Sequence, residues 1–189
     1  MAKKAQSTII NMLLSLTIIA VVAAAALALV NNVTADPIEQ AKKAKKEAAV
    51  KAVLPMPNID KFEPCEVEGV ACTKAFDAEG NLLGMAVESG DDNGFGGHLG
   101  VMVGFTAEGL VSGYQILETA ETPGLGAKAD LWFQEGGKGN IIGKNPGEEL
   151  KVKKDGGDVD AISGSTITSR AFCRAINNAY QTFQKGGIQ

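Results

Sequence analysis

The chain has one histidine, one tryptophan and only 5% aromatic residues. The lone imidazole, His98, weighs against hydrolytic chemistry, because a serine or cysteine nucleophile is activated by a neighbouring base, most often histidine. Three cysteines, Cys65, Cys72 and Cys173, match no zinc-ligand spacing and leave one over in any disulfide scheme. Cys65 and Cys72 either pair across neighbouring extended segments in an oxidising compartment or remain two buried thiols. Acidic residues are absent before Asp36, although the chain holds 22 of them. Residues 61–189 carry 11 Lys plus Arg against 18 Asp plus Glu, a net charge of −7 that argues against a nucleic-acid partner. Several motifs are also missing. Ala161 stands where a Gly-x-Ser-x-Gly elbow around Ser163 needs its first glycine. Gly143-Lys144-Asn145-Pro146-Gly147 fails the Walker pattern, and the acidic stretch Gly90 to Gly97 lacks EF-hand spacing and the terminal Glu, so it reads as a flexible turn.

What the chain does have begins with Thr8 to Val30, 23 residues without a charge. At 1.5 Å per residue such a helix spans roughly 34 Å, more than a hydrocarbon core of about 30 Å. A cleaved signal peptide is the rival reading, with small residues at Val33-Thr34-Ala35, but its apolar core is normally only about 7 to 15 residues. Residues 1–7 then form a short tail, cytoplasmic if the domain lies outside, with 8–30 a transmembrane anchor and 31–60 a stalk helix and linker, leaving 61–189 as the soluble domain. The stalk, residues 38–53, is rich in helix formers, and its lysines read as a solvated face. Leu54-Pro55-Met56-Pro57 stops it, since proline lacks the donor that would continue a helix. Lys3 and Lys4 favour a cytoplasmic amino terminus, whereas Lys42, Lys43, Lys45, Lys46 and Lys51 beyond the anchor leave orientation open on charge alone.

From Val67 to Glu118 the pattern is a meander of short strands, Val70 to Phe76, Leu82 to Glu88, His98 to Phe105 and Val111 to Leu117, separated by glycine-bearing turns. Loops this short imply antiparallel pairing. A helix is expected over Ala129 to Glu135, whose Trp132 and Phe133 read as core, and a short strand around Glu149 to Lys153. The last helix carries Ile167, Phe172, Ile176, Ala179, Tyr180 and Phe183 at helical spacing and ends before Gly186-Gly187.

Two stretches carry chemistry. Asp160-Ala161-Ile162-Ser163-Gly164-Ser165-Thr166-Ile167-Thr168-Ser169 crowds hydroxyls at the start of that helix. Amides of a first helical turn bear partial positive charge, so the place suits a phosphate. An ordinary capped helix has the same composition. The second stretch, Glu121-Thr122-Pro123-Gly124-Leu125-Gly126-Ala127-Lys128, formally fits a relaxed dinucleotide fingerprint, but the preceding strands look antiparallel and no acidic residue follows at about 20 positions on a parallel strand.

Asp-x-x-Ser-Gly-Ser-Thr resembles the flavinylation motif Asp-x-x-Ser/Thr-Gly-Ala-Thr of two related FMN-binding proteins, with Ser165 in place of the usual Ala. These are the G subunit of the Rnf complex and the C subunit of the sodium-translocating NADH:quinone oxidoreductase. Glu-Thr-Pro-Gly-Leu-Gly-Ala-Lys resembles the second signature of that family, and Gly94-Phe95-Gly96-Gly97 resembles a stretch before a strand on the flavin side. The resemblance implies an α+β fold, a twisted antiparallel sheet flanked by helices, with one N-terminal transmembrane helix. It implies FMN bound covalently by a phosphoester to Thr166, with Ser163, Gly164, Ser165, Thr168, Glu121, Thr122, Gly124, Leu125, Gly126 and Lys128 around it, and no metal. It further implies an electron-carrying component of an ion-translocating oxidoreductase in the cytoplasmic membrane with its soluble domain outside. The partners would be other membrane proteins of the complex and, for maturation, a flavin transferase. A component of the quinone-reducing complex and a cofactor-free anchored binding module are the alternatives.

Overall fold

The structure is a computed structural model that describes residues 8–187; the expected cytoplasmic tail lies outside them. The chain divides into two compact units between Ala44 and Lys45. Helix α1 covers Ile9–Val53, with Pro37 inside it. Its apolar part, ahead of the division, is long and apolar enough to cross a membrane. Thr17 and Thr34 donate their hydroxyls to the carbonyls of Leu13 and Val30, 2.9 and 2.8 Å away, so neither polar side chain needs water.

In the second unit, strands β1 (Lys61–Val67), β2 (Val70–Phe76), β3 (Leu82–Gly94), β4 (Gly97–Thr106) and β5 (Val111–Thr119) form one antiparallel sheet in sequential order. Strand β1 has no counterpart among the expected strands. It is an edge strand with Pro64 and no fully buried position, which hides its signal; such a proline is tolerated at an edge. Cys65 and Cys72, directly opposed with Cα atoms 5.0 Å apart, are joined as a disulfide, while Cys173 is free and buried. Burial pushes the Cys173 thiol up to about 12, so it is an inert core residue.

The expected turn from Gly90 to Gly97 is mostly strand. Ser89 donates to the carbonyl of Ala175 at 2.8 Å and Asp91 accepts two bonds from Arg174, each 2.8 Å, so polar residues that read as loop are satisfied by the last helix. Only Gly94 to Gly97 turns the chain. His98 is exposed and pairs with Asp92.

The last helix, Thr166–Gly187, lies across β3 and β4 and runs through Gly186, past its expected end. It is α3, after a short α2 over Ala129–Trp132. Alternation in the sheet explains the two faces. Leu99, Val101, Val103 and Phe105 of β4 point to α3, and Met102 points to the opposite face with Ala75, Ala86, Ala49, Val53 and Leu54. There Val53 rests on a cross-strand glycine pair. A Cβ on Gly104 would lie 2.0 Å from the Val53 carbonyl oxygen, and one on Gly113 would lie 3.0 Å from its Cα. Thus the chain before Pro55 is part of this unit's core, while Lys45 donates to the Leu117 carbonyl and Lys46 pairs with Glu88.

The helix expected over Ala129 to Glu135 is thus shorter, and a 3₁₀ turn, Gly126–Lys128, precedes it. The amide of Phe133 donates to the Tyr114 hydroxyl, and the Phe133 ring stacks on Phe172 with centroids 4.2 Å apart and planes 7° from parallel. Tertiary packing therefore stops the helix. Phe133 is core as expected. Trp132 is half-buried and donates its indole N–H to the Asp160 carbonyl at 2.8 Å. The expected strand near Glu149 reduces to one bridge, Val152 to Val159, because Lys153–Asp155 turns as a 3₁₀ helix.

Phe172 is fully buried and also meets the Tyr114 ring edge-on at 4.8 Å. Phe172→Ala is predicted to lower unfolding free energy by about 3–5 kcal/mol, read by urea denaturation of the full chain. A loss under about 1 kcal/mol would mean that these rings do not hold α3 in place.

Candidate functional site

A cleft of about 350 Å³ opens where α3 begins. Two β-turns of the same design form its rims. In Thr122-Pro123-Gly124-Leu125 the Leu125 amide donates to the Thr122 carbonyl at 3.1 Å, with Gly124 at φ +78°. In Ile162-Ser163-Gly164-Ser165 the Ser165 amide donates to the Ile162 carbonyl at 2.9 Å, with Gly164 at φ +79°. The third position of such a turn needs positive φ, which glycine supplies without strain. The turns meet: a Cβ on Gly164 would lie 3.5 Å from the Leu125 side chain.

Ser169 locks the second turn to the helix. Its hydroxyl accepts from the Ile162 amide and donates to the Ser165 carbonyl, both at 2.9 Å. The amides of Thr166, Ile167 and Thr168 lie in a first turn, where no intrahelical acceptor exists, and all three residues line the cleft. That turn contains no acidic residue. Lys154 adds a cation, donating to Thr166 Oγ1 at 3.3 Å. It is carried by the 3₁₀ turn, which Arg170 fixes to α3 through two bonds to Asp155 of 2.7 and 2.6 Å. The Arg170 guanidinium also holds the Asp155 carboxyl below the usual carboxylate range. Asp160 is committed to Lys153 at 2.7 Å. The cleft thus gathers positive charge beside Thr166, and its lining also offers Phe95, Leu125 and Ile167, which are 70%, 45% and 49% exposed.

Eight of the expected residues line this cleft: Glu121, Thr122, Leu125, Gly126, Gly164, Ser165, Thr166 and Thr168. Ser163 is exposed outside the lining, and Gly124 and Lys128 line a shallower depression on the far side of the 122–128 loop with Trp132 and Leu131. Lys154, Phe95 and Ile167 join the lining from outside the expected set of site residues. The spacing of Ile167 assigns it to the core stripe, yet at the helix start that stripe has run past the sheet. For Lys154 no sequence signal exists beyond a basic residue near the motif.

The two loop glycines have different causes. Gly124 serves the turn. Gly126 makes room for a buried carboxylate: a Cβ there would lie 2.3 Å from Glu121 Oε2 and 2.8 Å from Thr168 Oγ1.

Residues 94–181 match the FMN-binding domain family. The chain is 34% identical to the G subunit of the Na(+)-translocating ferredoxin:NAD(+) oxidoreductase complex of Acetobacterium woodii, over 90% of this chain and 89% of that protein. It is 32% identical to the G subunit of the ion-translocating oxidoreductase complex of Methanosarcina acetivorans, over 94% and 97%. A crystal structure of NqrC from Shewanella oneidensis aligns at 23% identity and a TM-score of 0.44, covering 61% of this chain and 58% of that one. An antiparallel sheet whose phosphate-suited helix start faces a glycine loop is here an FMN-binding domain, on a chain with a candidate membrane helix. The chain belongs to the G-subunit family of ion-translocating oxidoreductase complexes, whose members are redox components of multisubunit enzymes.

Gly126→Val is predicted to break the Thr168 to Glu121 hydrogen bond and to lower flavin content more than it lowers the folded fraction. Visible absorbance and circular dichroism on one sample compare the two. Full flavin with an unchanged spectrum would remove the Gly126 loop from the site.

Proposed function

We propose that this chain is the electron-carrying component of a membrane-bound Rnf-type ferredoxin:NAD oxidoreductase, with FMN attached through a phosphoester to Thr166 Oγ1. The observation that carries the attachment is which hydroxyl of the Asp160 to Ser169 motif is free to react. Thr168 and Ser169 are fully buried and bonded to Glu121 and to the Ile162 turn, and Ser165 is 8% exposed. Ser163 lies outside the cleft lining. Thr166 is half-buried, lines the cleft and has its oxygen beside Lys154. The G-subunit names of the relatives favour this complex over the quinone-reducing one.

The residues fit the group. First-turn amides and Lys154 meet a phosphate that keeps one ionisable oxygen after esterification. Leu125, Ile167 and Phe95 offer apolar surface to a ring system, and glycines at 124 and 164 shape the rims. FMN, when bound, supplies the electron-accepting chemistry; Thr166 is its attachment point and takes no part in electron transfer. A flavin transferase would form the bond, and other membrane proteins of the complex would exchange electrons with the domain.

The division of the chain into residues 8–30 as membrane anchor, 31–60 as stalk and linker, and 61–189 as FMN-binding domain is part of the same proposal. The outer side of the cytoplasmic membrane is favoured by the Cys65–Cys72 disulfide, since such bonds persist in oxidising compartments.

Thr166→Ala should abolish covalent flavin in a folded protein, and Ser165→Ala should retain it. Peptide mass spectrometry after denaturation decides, and the FMN mass increment on Ser165 would refute the assignment. Intact mass of the membrane-extracted protein should include residues 8–30; a mature chain beginning at Asp36 would show cleavage instead.

A further inference from the structure

We propose that the buried carboxylate of Glu121 is a positioning and tuning group, pinning the β3–β4 hairpin tip at the cleft and holding the reduction potential of the bound flavin down. The proposal rests on the reading that the cleft holds FMN. Glu121 is 7% exposed and belongs to the cleft wall. Its Oε2 accepts from Thr168 Oγ1 at 2.9 Å and its Oε1 accepts from the Gly96 amide at 3.2 Å. Both oxygens act as acceptors, the arrangement of an ionised carboxylate. Among the described residues no cation forms an ion pair with it.

Three segments converge on this group. Gly96 belongs to the hairpin tip, Thr168 to α3 and Gly126 to the loop after β5, and glycine is required at two of the approaches. A Cβ on Gly94 would lie 2.9 Å from Oε1, and one on Gly126 2.3 Å from Oε2. The tip between Gly94 and Gly96 carries Phe95, exposed at the cleft mouth. One carboxylate therefore holds the aromatic side of the cleft to its helix side. A mere fastening would be served as well by an amide. A charge there has a second effect: electron uptake by a cofactor in the cleft adds negative charge beside an unpaired buried anion, and in a partly desolvated site that repulsion disfavours the reduced form. Lys154 lies toward the Thr166 end, where it neutralises phosphate.

The test uses the full-length protein in detergent. Glu121→Gln keeps an acceptor for the Gly96 amide and a donor for the Thr168 oxygen while removing the charge. With flavin content at the wild-type level, its midpoint potential should move to a more positive value in spectroelectrochemical titration. Thr168→Val removes one donor but keeps the charge, and its midpoint should not rise. In flavin-free Thr166→Ala protein, Glu121→Ala should accelerate hydrogen exchange at the Gly96 amide and Glu121→Gln should leave it protected. A fully flavinylated Glu121→Gln protein with an unchanged midpoint overturns the tuning role. So does a Thr168→Val protein whose midpoint rises as far. Unchanged Gly96 exchange in Glu121→Ala overturns the pinning role. Wild-type protein without flavin would instead overturn the FMN reading.

Discussion

The seating of α3 on the sheet is the constraint from which the site follows. Phe172 is held between the parallel ring of Phe133 and the edge of Tyr114, and further along the helix Phe183 and Tyr180 meet Phe105. These contacts fix both the rotation and the axial position of the helix. Ala171, Ala175 and Ala179, all fully buried, let it lie close to the strands. Once the helix is fixed, its first turn has one place to be, at the end of the sheet where the β3–β4 hairpin and the loop after β5 also end. A side chain at position 166 is then open to the cleft, whereas those at 168 and 169 are fully buried. Rotation by one residue, about 100°, would turn position 166 away from that place.

Close approach of polar groups in this region depends on glycine rather than on loop flexibility. Gly126 admits the Glu121 carboxylate, and Gly94 admits its other oxygen. A buried acid is costly unless its oxygens are satisfied, and the Thr168 hydroxyl and Gly96 amide satisfy them. On the opposite face of the sheet the same device serves an apolar purpose, with Gly104 and Gly113 receiving Val53. Two faces of one sheet are thus closed by glycine-lined contacts, one bringing a carboxylate to the cleft and one fastening the end of α1.

Where the signal is local, the sequence pattern and the structure agree, and the departures share a cause. Strand β2 has the expected bounds because turn residues stand on both sides of it. Strand β3 runs past Glu88, where its pattern ends, because Ser89, Gly90 and Asp91 read as loop in isolation; the partners of Ser89 and Asp91, Ala175 and Arg174, are more than 80 residues away. Strand β1 leaves no clear pattern because Pro64 and its charges are permitted at an edge. In the site, the motif and the glycine loop are legible because their turns need particular residues. Lys154 is not, because what places it is the Asp155 to Arg170 pair across a 3₁₀ turn. Ile167 departs from its expected place for a related reason: helical period identifies a face, but not where along the helix the covering sheet ends.

An open cleft also bears on why a covalent bond would be used. Sites that retain a small ligand by contact alone bury most of its surface. This one is bounded by two turns, one first helical turn, Lys154 and a single exposed aromatic, and much of its lining faces solvent. Such a cleft orients a cofactor better than it retains one. An ester to Thr166, as proposed, would remove the loss of translational freedom that binding otherwise costs at every encounter. With retention by such a bond, the cleft could stay open on the side where Phe95 and Leu125 are exposed, and an electron carrier needs an open side if partners are to reach it.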